Sequence, residues 1–128
     1  MRVLLDTHAF LWLIGNLPKL SKKAKKIFTD KDNEILLSVA SIWEMGIKLS
    51  LGKLELTQPF NKFIPTQLHQ NGISQLDINF RHINEVVNLP FHHRDPFDRL
   101  IISQAITEGT PIISNDNCFD LYEVERIW

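Results

Sequence analysis

The chain has 128 residues, which fits a single domain over positions 1–128 with room for a buried core. Apolar residues make up 44% and charged residues 23%, as in an ordinary soluble globular protein. The net charge of −1 excludes a strong overall basic field, so any attraction to phosphate must be local or carried by a metal. The single Cys118 excludes an internal disulfide, and no apolar run reaches membrane-spanning length. We therefore expect a cytoplasmic protein with no membrane segment.

Short apolar runs alternate with segments of helical length along the whole chain. The apolar runs predict strands at 3–5, 34–38, 75–78 and 110–114, with a last edge strand at 126–128. The segments between them predict helices at 8–14, 22–30, 40–51, 59–71, 80–87 and 96–107. Residues 53–56 predict a minor extended piece, and Pro65 leaves the register of the fourth helix open.

Unbroken apolar strands separated by helices are typical of a parallel sheet that is buried on both faces. We therefore predict an α/β fold, a three-layer α/β/α sandwich with a central, mostly parallel sheet. Sites in such sheets form beyond the carboxyl ends of the strands. Four acidic residues that are far apart in sequence are expected to meet there, namely Asp6, Glu44, Asp98 and Asp116.

Four crowded carboxylates repel one another, and each raises the pKa of its neighbours unless a cation lies between them. A divalent cation resolves that conflict. Because all the expected ligands are oxygen atoms, the site favours Mg²⁺ or Mn²⁺ over zinc.

Each of these acids also has a purely structural alternative. Glu44 could pair with Lys48, four residues further along a helix. Asp95, followed by proline, is first of all a helix N-cap, and Asp98 could complete a capping box with it. The acids that follow the strands could be turn residues. None of these roles explains why all the acids share one location.

Other polar and aromatic residues carry weaker signals. His92 and His93 are predicted to lie at the rim, because adjacent histidines seldom converge on one ion and no zinc spacing accompanies them. The three tryptophans predict core or interface anchors more than base-stacking platforms. The lysine-rich segment 19–26 predicts a solvated helix face that could also guide RNA.

Four stretches, at 4–8, 40–45, 95–101 and 113–116, resemble in order and spacing the successive motifs of the PIN domain. Within that family they look like the VapC-type toxins of bacterial toxin–antitoxin pairs. The resemblance covers nearly the whole chain. It implies a Mg²⁺- or Mn²⁺-dependent endoribonuclease, usually dimeric, that a cognate antitoxin neutralises. Metal-activated water would hydrolyse the RNA phosphodiester bond.

The resemblance also implies roles for particular residues. The acidic ligands of the family fall on Asp6, Glu44, Asp98 and Asp116. Positions that often support these ligands fall on Thr7, Ser114 and Asn115. Asp95 belongs to the signature of one subgroup and comes second, and Arg99, next to Asp98, is a candidate for contact with phosphate. The alternative left open is a catalytically silent PIN-like module that binds RNA or protein.

Overall fold

The computed structural model describes all residues from 1 to 128. The strands are β1 (Arg2–Leu5), β2 (Glu34–Ser38), β3 (Ile73–Leu76), β4 (Ile112–Ile113) and β5 (Arg126–Ile127). The helices are α1 (Thr7–Ile14), α2 (Lys22–Thr29), α3 (Val39–Ser50), α4 (Phe60–Gln70), α5 (Phe80–Asn88) and α6 (Pro96–Glu108), and a 3-10 helix covers Asn117–Leu121. No helix has both the length and the apolar character needed to cross a membrane.

The five strands form one sheet in the order β3-β2-β1-β4-β5, and every neighbouring pair is parallel. β1 lies at the centre, with Leu5 opposite Leu37 of β2 on one side and Ile113 of β4 on the other. All carboxyl ends of the strands therefore lie at one edge, which we call the carboxyl edge. It receives Asp6 directly after β1 and Ser114 directly after β4.

Successive residues of a strand face opposite sides of the sheet, so the strands contribute to two separate apolar cores. Val3 and Leu5 belong to the core that includes residues of α1, α2 and α4, whereas Leu4 belongs to the core that includes α6. Helices thus cover both faces of the sheet, and the predicted α/β/α sandwich is confirmed.

The third strand begins two residues earlier than its predicted position. Gly72, with φ +63°, follows α4 in the left-handed region and lets the chain enter β3 at Ile73 without a longer loop. β3 is an edge strand, so Ser74 and Gln75 are tolerated there as exposed residues. Their polarity hid the true start of the strand from the hydrophobic pattern.

Three other local predictions can be compared with the structure. Residues 53–56 form no strand. The predicted strand at 110–114 is only two residues long, because Pro111 lacks the N–H that a longer ladder needs. α4 continues through Pro65, since the adjacent Phe63 and Ile64 are buried and anchor the helix. The predicted C-terminal edge strand is present as β5.

Candidate active site

The start of α6 places one acidic side chain beyond the ends of the strands. Asp95 caps the helix, and its Oδ1 accepts hydrogen bonds from the N–H groups of Phe97 (2.8 Å) and Asp98 (3.1 Å). Pro96 follows at the first helical position, where its missing N–H costs nothing. Asp98 therefore lies on the first turn of α6. The role of Asp95 that the structure displays is that of a cap.

Asp6 and Asp116 reach the same edge from the strand ends. Asp6 follows β1, is 5% exposed, and caps α1 by accepting a 2.7 Å hydrogen bond from the N–H of Ala9. Asp116 accepts from the N–H of Cys118 (2.9 Å), and its own N–H donates to the buried Ser114 hydroxyl (3.0 Å). Each acid has the cap or turn role that the sequence left open. Those roles fix where each carboxylate lies.

His93 joins two of these carboxylates. Its Nε2 lies 3.1 Å from Asp98 Oδ2 and 2.8 Å from Asp116 Oδ2. Its Nδ1 accepts a hydrogen bond from the N–H of Asp95 (3.1 Å), so the imidazole proton is on Nε2 and is shared between the two carboxylates. Ligand atoms of His93, Asp98 and Asp116 all lie within 4.8 Å of one another. In a capping box the Asp98 side chain would accept the backbone N–H of Asp95. That N–H donates to His93 Nδ1 instead, so Asp95 and Asp98 form no capping box.

The prediction that both adjacent histidines lie at the rim was wrong for His93. His92 is exposed, with its ring edge against Tyr122 (centroids 5.2 Å apart), whereas His93 turns inward. The backbone N–H of His93 donates to the Tyr122 hydroxyl (2.7 Å). The His93 ring packs against the Phe119 ring, with centroids 5.8 Å apart. Both partners come from the C-terminal segment. No local pattern around position 93 therefore reports its orientation.

Glu44 lies on α3, which begins directly after β2, and is 8% exposed. The Thr7 hydroxyl donates to Glu44 Oε1 (2.7 Å) and lies 2.9 Å from Ser41 Oγ. Glu44 Oε2 pairs with Lys48 Nζ at 3.0 Å. The i, i+4 pair left open by the sequence is thus present, but it involves a buried carboxylate beside the other acids. Thr7 and Lys48 together fix the position of that carboxylate.

Burial raises the pKa of two acids at the carboxyl edge, Asp98 and Asp6. Burial is the main reason that the pKa of Asp98 is raised to about 7, and the charges of Asp95 and Asp6 contribute to the rise. Burial also raises the pKa of Asp6, and the charge of Asp116 adds to that effect. The charges of neighbouring acids therefore add to the effect of burial at both carboxyl groups.

The donor set fits a hard divalent cation. Asp98 and Asp116 offer carboxylate oxygens close enough to bind one ion. Asp6 and Glu44 lie outside that tight group, but their charges raise the pKa of Asp98. The Nε2–H group of the His93 ring lies between the carboxylates of Asp98 and Asp116, where positive charge is most favourable. Mg²⁺ or Mn²⁺ would supply that charge.

Arg99 does not face the carboxyl edge, which contradicts its predicted contact with phosphate. It is 5% exposed, and a helix turns by about 100° per residue, so the neighbour of Asp98 points elsewhere. Its guanidinium donates to four backbone carbonyls, at 2.9–3.3 Å, those of Val86, Leu89, Pro90 and His93. It also stacks on the Phe91 ring, 4.0 Å from the centroid. Arg99 therefore fixes the loop between α5 and α6.

An open cavity of about 250 Å³ adjoins the acids. Its lining residues are Asp6, His8, Trp12, Asn115 and Asp116. Asn115, which was predicted to support the acids, is exposed there. The cavity therefore joins an aromatic wall to two of the candidate ligands.

The raised pKa of Asp98 predicts that the metal-free protein loses stability as the pH rises. Between about pH 4 and 7 the unfolded chain releases the Asp98 proton, whereas the folded protein still holds it. The free energy of unfolding should therefore fall by up to about 1.4 kcal/mol per pH unit across that window and level off above it. In EDTA, the melting temperature of the wild type should fall more steeply with pH than that of Asp98→Asn. Parallel curves for the two proteins would contradict the raised pKa.

The parallel sandwich and the acids beyond its strand ends define a small α/β protein with a candidate metal centre. The family model described as the PIN domain matches residues 3–125. The chain therefore belongs to the PIN domain family, and the resemblance inferred from the four sequence motifs is confirmed.

One named relative is similar to part of this chain, and two solved structures are similar to it in fold. Over 69 residues the chain is 36% identical to Ribonuclease VapC16 of Mycobacterium tuberculosis. The matched segment covers 51% of this chain and 49% of that protein. The match thus spans about half the length of that relative. A structure of VapBC2 from Rickettsia felis, bound to a promoter DNA fragment, has a TM-score of 0.74 at 17% identity and covers 99% of this chain and 98% of its own. A structure of DNA-bound VapBC from Salmonella typhimurium has a TM-score of 0.73 at 13% identity. The match covers 99% of this chain and 97% of that one. Both structures share the fold of this chain.

Proposed function

We propose that this protein is a Mg²⁺- or Mn²⁺-dependent endoribonuclease of the VapC type that acts in the cytoplasm. The observation that carries the proposal is the group of His93, Asp98 and Asp116, whose ligand atoms lie within 4.8 Å at the carboxyl edge. Asp6 and Glu44 add negative charge beside it. The similarity to a protein named as a ribonuclease supports RNA as the substrate.

The residues of the chain would hold the ion and keep the carboxylates in position. Asp98 and Asp116 would bind it, with Asp6 beside them at the end of β1. Thr7 and Lys48 fix Glu44 at the same edge. When bound, the ion would balance the acids, lower the pKa of a water molecule and stabilise charge on the phosphate.

We also propose a homodimeric toxin with a cognate antitoxin. The similar structures of VapBC assemblies support a protein partner. Light scattering on the purified chain, alone and with the product of the neighbouring gene, tests both proposals. A chain that stays monomeric and forms no complex would contradict them without affecting the proposed chemistry.

Cleavage of single-stranded RNA should require Mg²⁺ or Mn²⁺ and should be lost in Asp6→Asn. Asparagine caps helices as well as aspartate does, so the variant should fold while losing a charged oxygen at the carboxyl edge. The assay is gel electrophoresis of end-labelled RNA during a metal titration, with EDTA as the blank. The matched control is Asp32→Asn, which removes the same charge from an exposed position.

The outcomes separate the nuclease from the silent module. Cleavage in EDTA, or an active Asp6→Asn variant, would contradict the proposed mechanism. A folded wild type that binds RNA but cleaves none of it in either metal would favour the catalytically silent alternative.

A further inference from the structure

We propose that the cavity beside Asp6 and Asp116 binds one unpaired nucleobase of single-stranded RNA, stacked on His8 and Trp12. The inference rests on the proposed nuclease function and adds the part of the substrate that flanks the cleaved bond. The cavity has three properties that suit a base: an aromatic wall, a size that fits one ring system, and polar groups that match a base edge.

The aromatic wall is formed by two residues one turn apart on α1. The rings of His8 and Trp12 are stacked, with centroids 5.8 Å apart and planes 28° apart. His8 is exposed, whereas Trp12 is half-buried and held by an edge contact with Trp128 (centroids 5.6 Å apart). The pair is therefore an aromatic surface that is anchored at one end and open to solvent at the other. Bases of any sequence stack on such surfaces.

The size and polarity of the cavity favour a base over a phosphate. Its volume of about 250 Å³ is below the range of about 300–1,000 Å³ typical for drug-sized ligands, so it suits one ring system. Without a bound ion, the carboxylates of Asp6 and Asp116 repel phosphate, whereas their oxygens accept hydrogen bonds from the amino and ring N–H groups of bases. Asn115, exposed at the same wall, offers both a donor and an acceptor to a base edge.

The position of the cavity indicates which base it would take. Asp6 and Asp116 line the cavity; Asp116 belongs to the candidate metal group with His93 and Asp98, and the charge of Asp6 acts on Asp98. A base in the cavity would therefore belong to a nucleotide next to the hydrolysed phosphodiester. Bases of a duplex are paired and stacked and cannot enter, so the substrate is single-stranded. Lys19, with Nζ 5.6 Å from the Trp12 ring centroid, brings a cation to this wall for a neighbouring phosphate.

Binding can be measured without cleavage in an Asp98→Asn background in EDTA, by the anisotropy of short fluorescein-labelled RNA strands. His8→Ala and Trp12→Leu should each weaken the binding of single strands about tenfold, which is the loss expected for one stacked base. His8→Phe and Trp12→Phe keep an aromatic ring and should restore most of the affinity. Phe80→Ala removes an aromatic ring that is 80% exposed on α5 and should leave affinity unchanged.

Several outcomes would overturn the proposal. These are unchanged affinity in His8→Ala and Trp12→Leu, an equal loss for duplex RNA, and no binding of single strands in the background variant. Because His8 is exposed, His8→Ala decides the matter if Trp12→Leu fails to fold. Metal-dependent cleavage by the wild type would still stand in each case, so failure of the base site is distinct from failure of the nuclease.

A second measurement uses cleavage. RNA that lacks the base next to the cut bond should be cleaved by the wild type about tenfold more slowly than intact RNA. Trp12→Leu should cleave the two substrates at the same rate, because it has already lost the stacking contact. A base-free substrate that slows both proteins equally would contradict a base site at Trp12.

Discussion

An Asp98→Asn variant is expected to lose metal-dependent RNA cleavage and yet to unfold, without metal, at a higher temperature than the wild type. The loss of activity should exceed the roughly 10- to 100-fold that follows removal of a residue that only orients a metal ligand. The gain in stability has a separate cause. Burial and neighbouring charge raise the pKa of Asp98 to about 7, so its charge opposes folding above that pH.

Asparagine keeps the size of the side chain and can still accept the hydrogen bond from His93. At pH 8 in EDTA the variant should be more stable by about 1–4 kcal/mol, because the fall of up to about 1.4 kcal/mol per pH unit extends over about three pH units, and its melting temperature should rise by several degrees or more. Adding Mn²⁺ should raise the melting temperature of the wild type more than that of the variant, because the ion stabilises only the protein that binds it.

The control is again Asp32→Asn, which removes the same charge from the surface. It should alter neither the RNA cleavage nor the melting temperature. A variant that melts below the wild type in EDTA would show that the Asp98 carboxylate stabilises the fold. That result would favour the structural alternative over a metal ligand.

Replacing Arg99 by leucine is expected to destabilise the protein more than any other substitution considered above. The guanidinium donates to four carbonyls, and those of Leu89 and His93 would be left without a donor; the bond to Leu89 is buried and the bond to His93 is partly buried. Leaving buried polar groups unpaired costs about 1–3 kcal/mol each, so the total should be about 2–5 kcal/mol. Because that loop carries His93 and leads to α6, cleavage should fall together with the melting temperature.

Arg94→Leu is the matched control, since Arg94 lies on the same loop but is exposed. It should leave the melting temperature unchanged. Circular dichroism during heating, together with RNA affinity in EDTA, separates the two possible roles of Arg99. If Arg99→Leu melts like the wild type but binds RNA more weakly, the original prediction of a phosphate contact would be restored.

The elements whose signals are local could be predicted from the sequence. The apolar runs of β1 and β2 and the cap Asp95 with Pro96 depend on residues within one or two turns, so their positions follow from propensity and pattern. The start of β3 was predicted two residues too late, because an edge strand tolerates polar residues that a buried strand excludes.

The sequence by itself also determined that four acids follow or face the ends of parallel strands, because strand ends and helix caps fix backbone position. What those acids touch was decided only by the tertiary structure. His93 turns toward Asp98 and Asp116 because Tyr122 and Phe119, far along the chain, hold its backbone and ring. The Arg99 side chain points away from the carboxyl edge because the backbone carbonyls that accept its hydrogen bonds belong to the end of α5 and the loop after it, which the fold places next to α6. Side-chain direction depends on such distant contacts, and a linear pattern does not contain them.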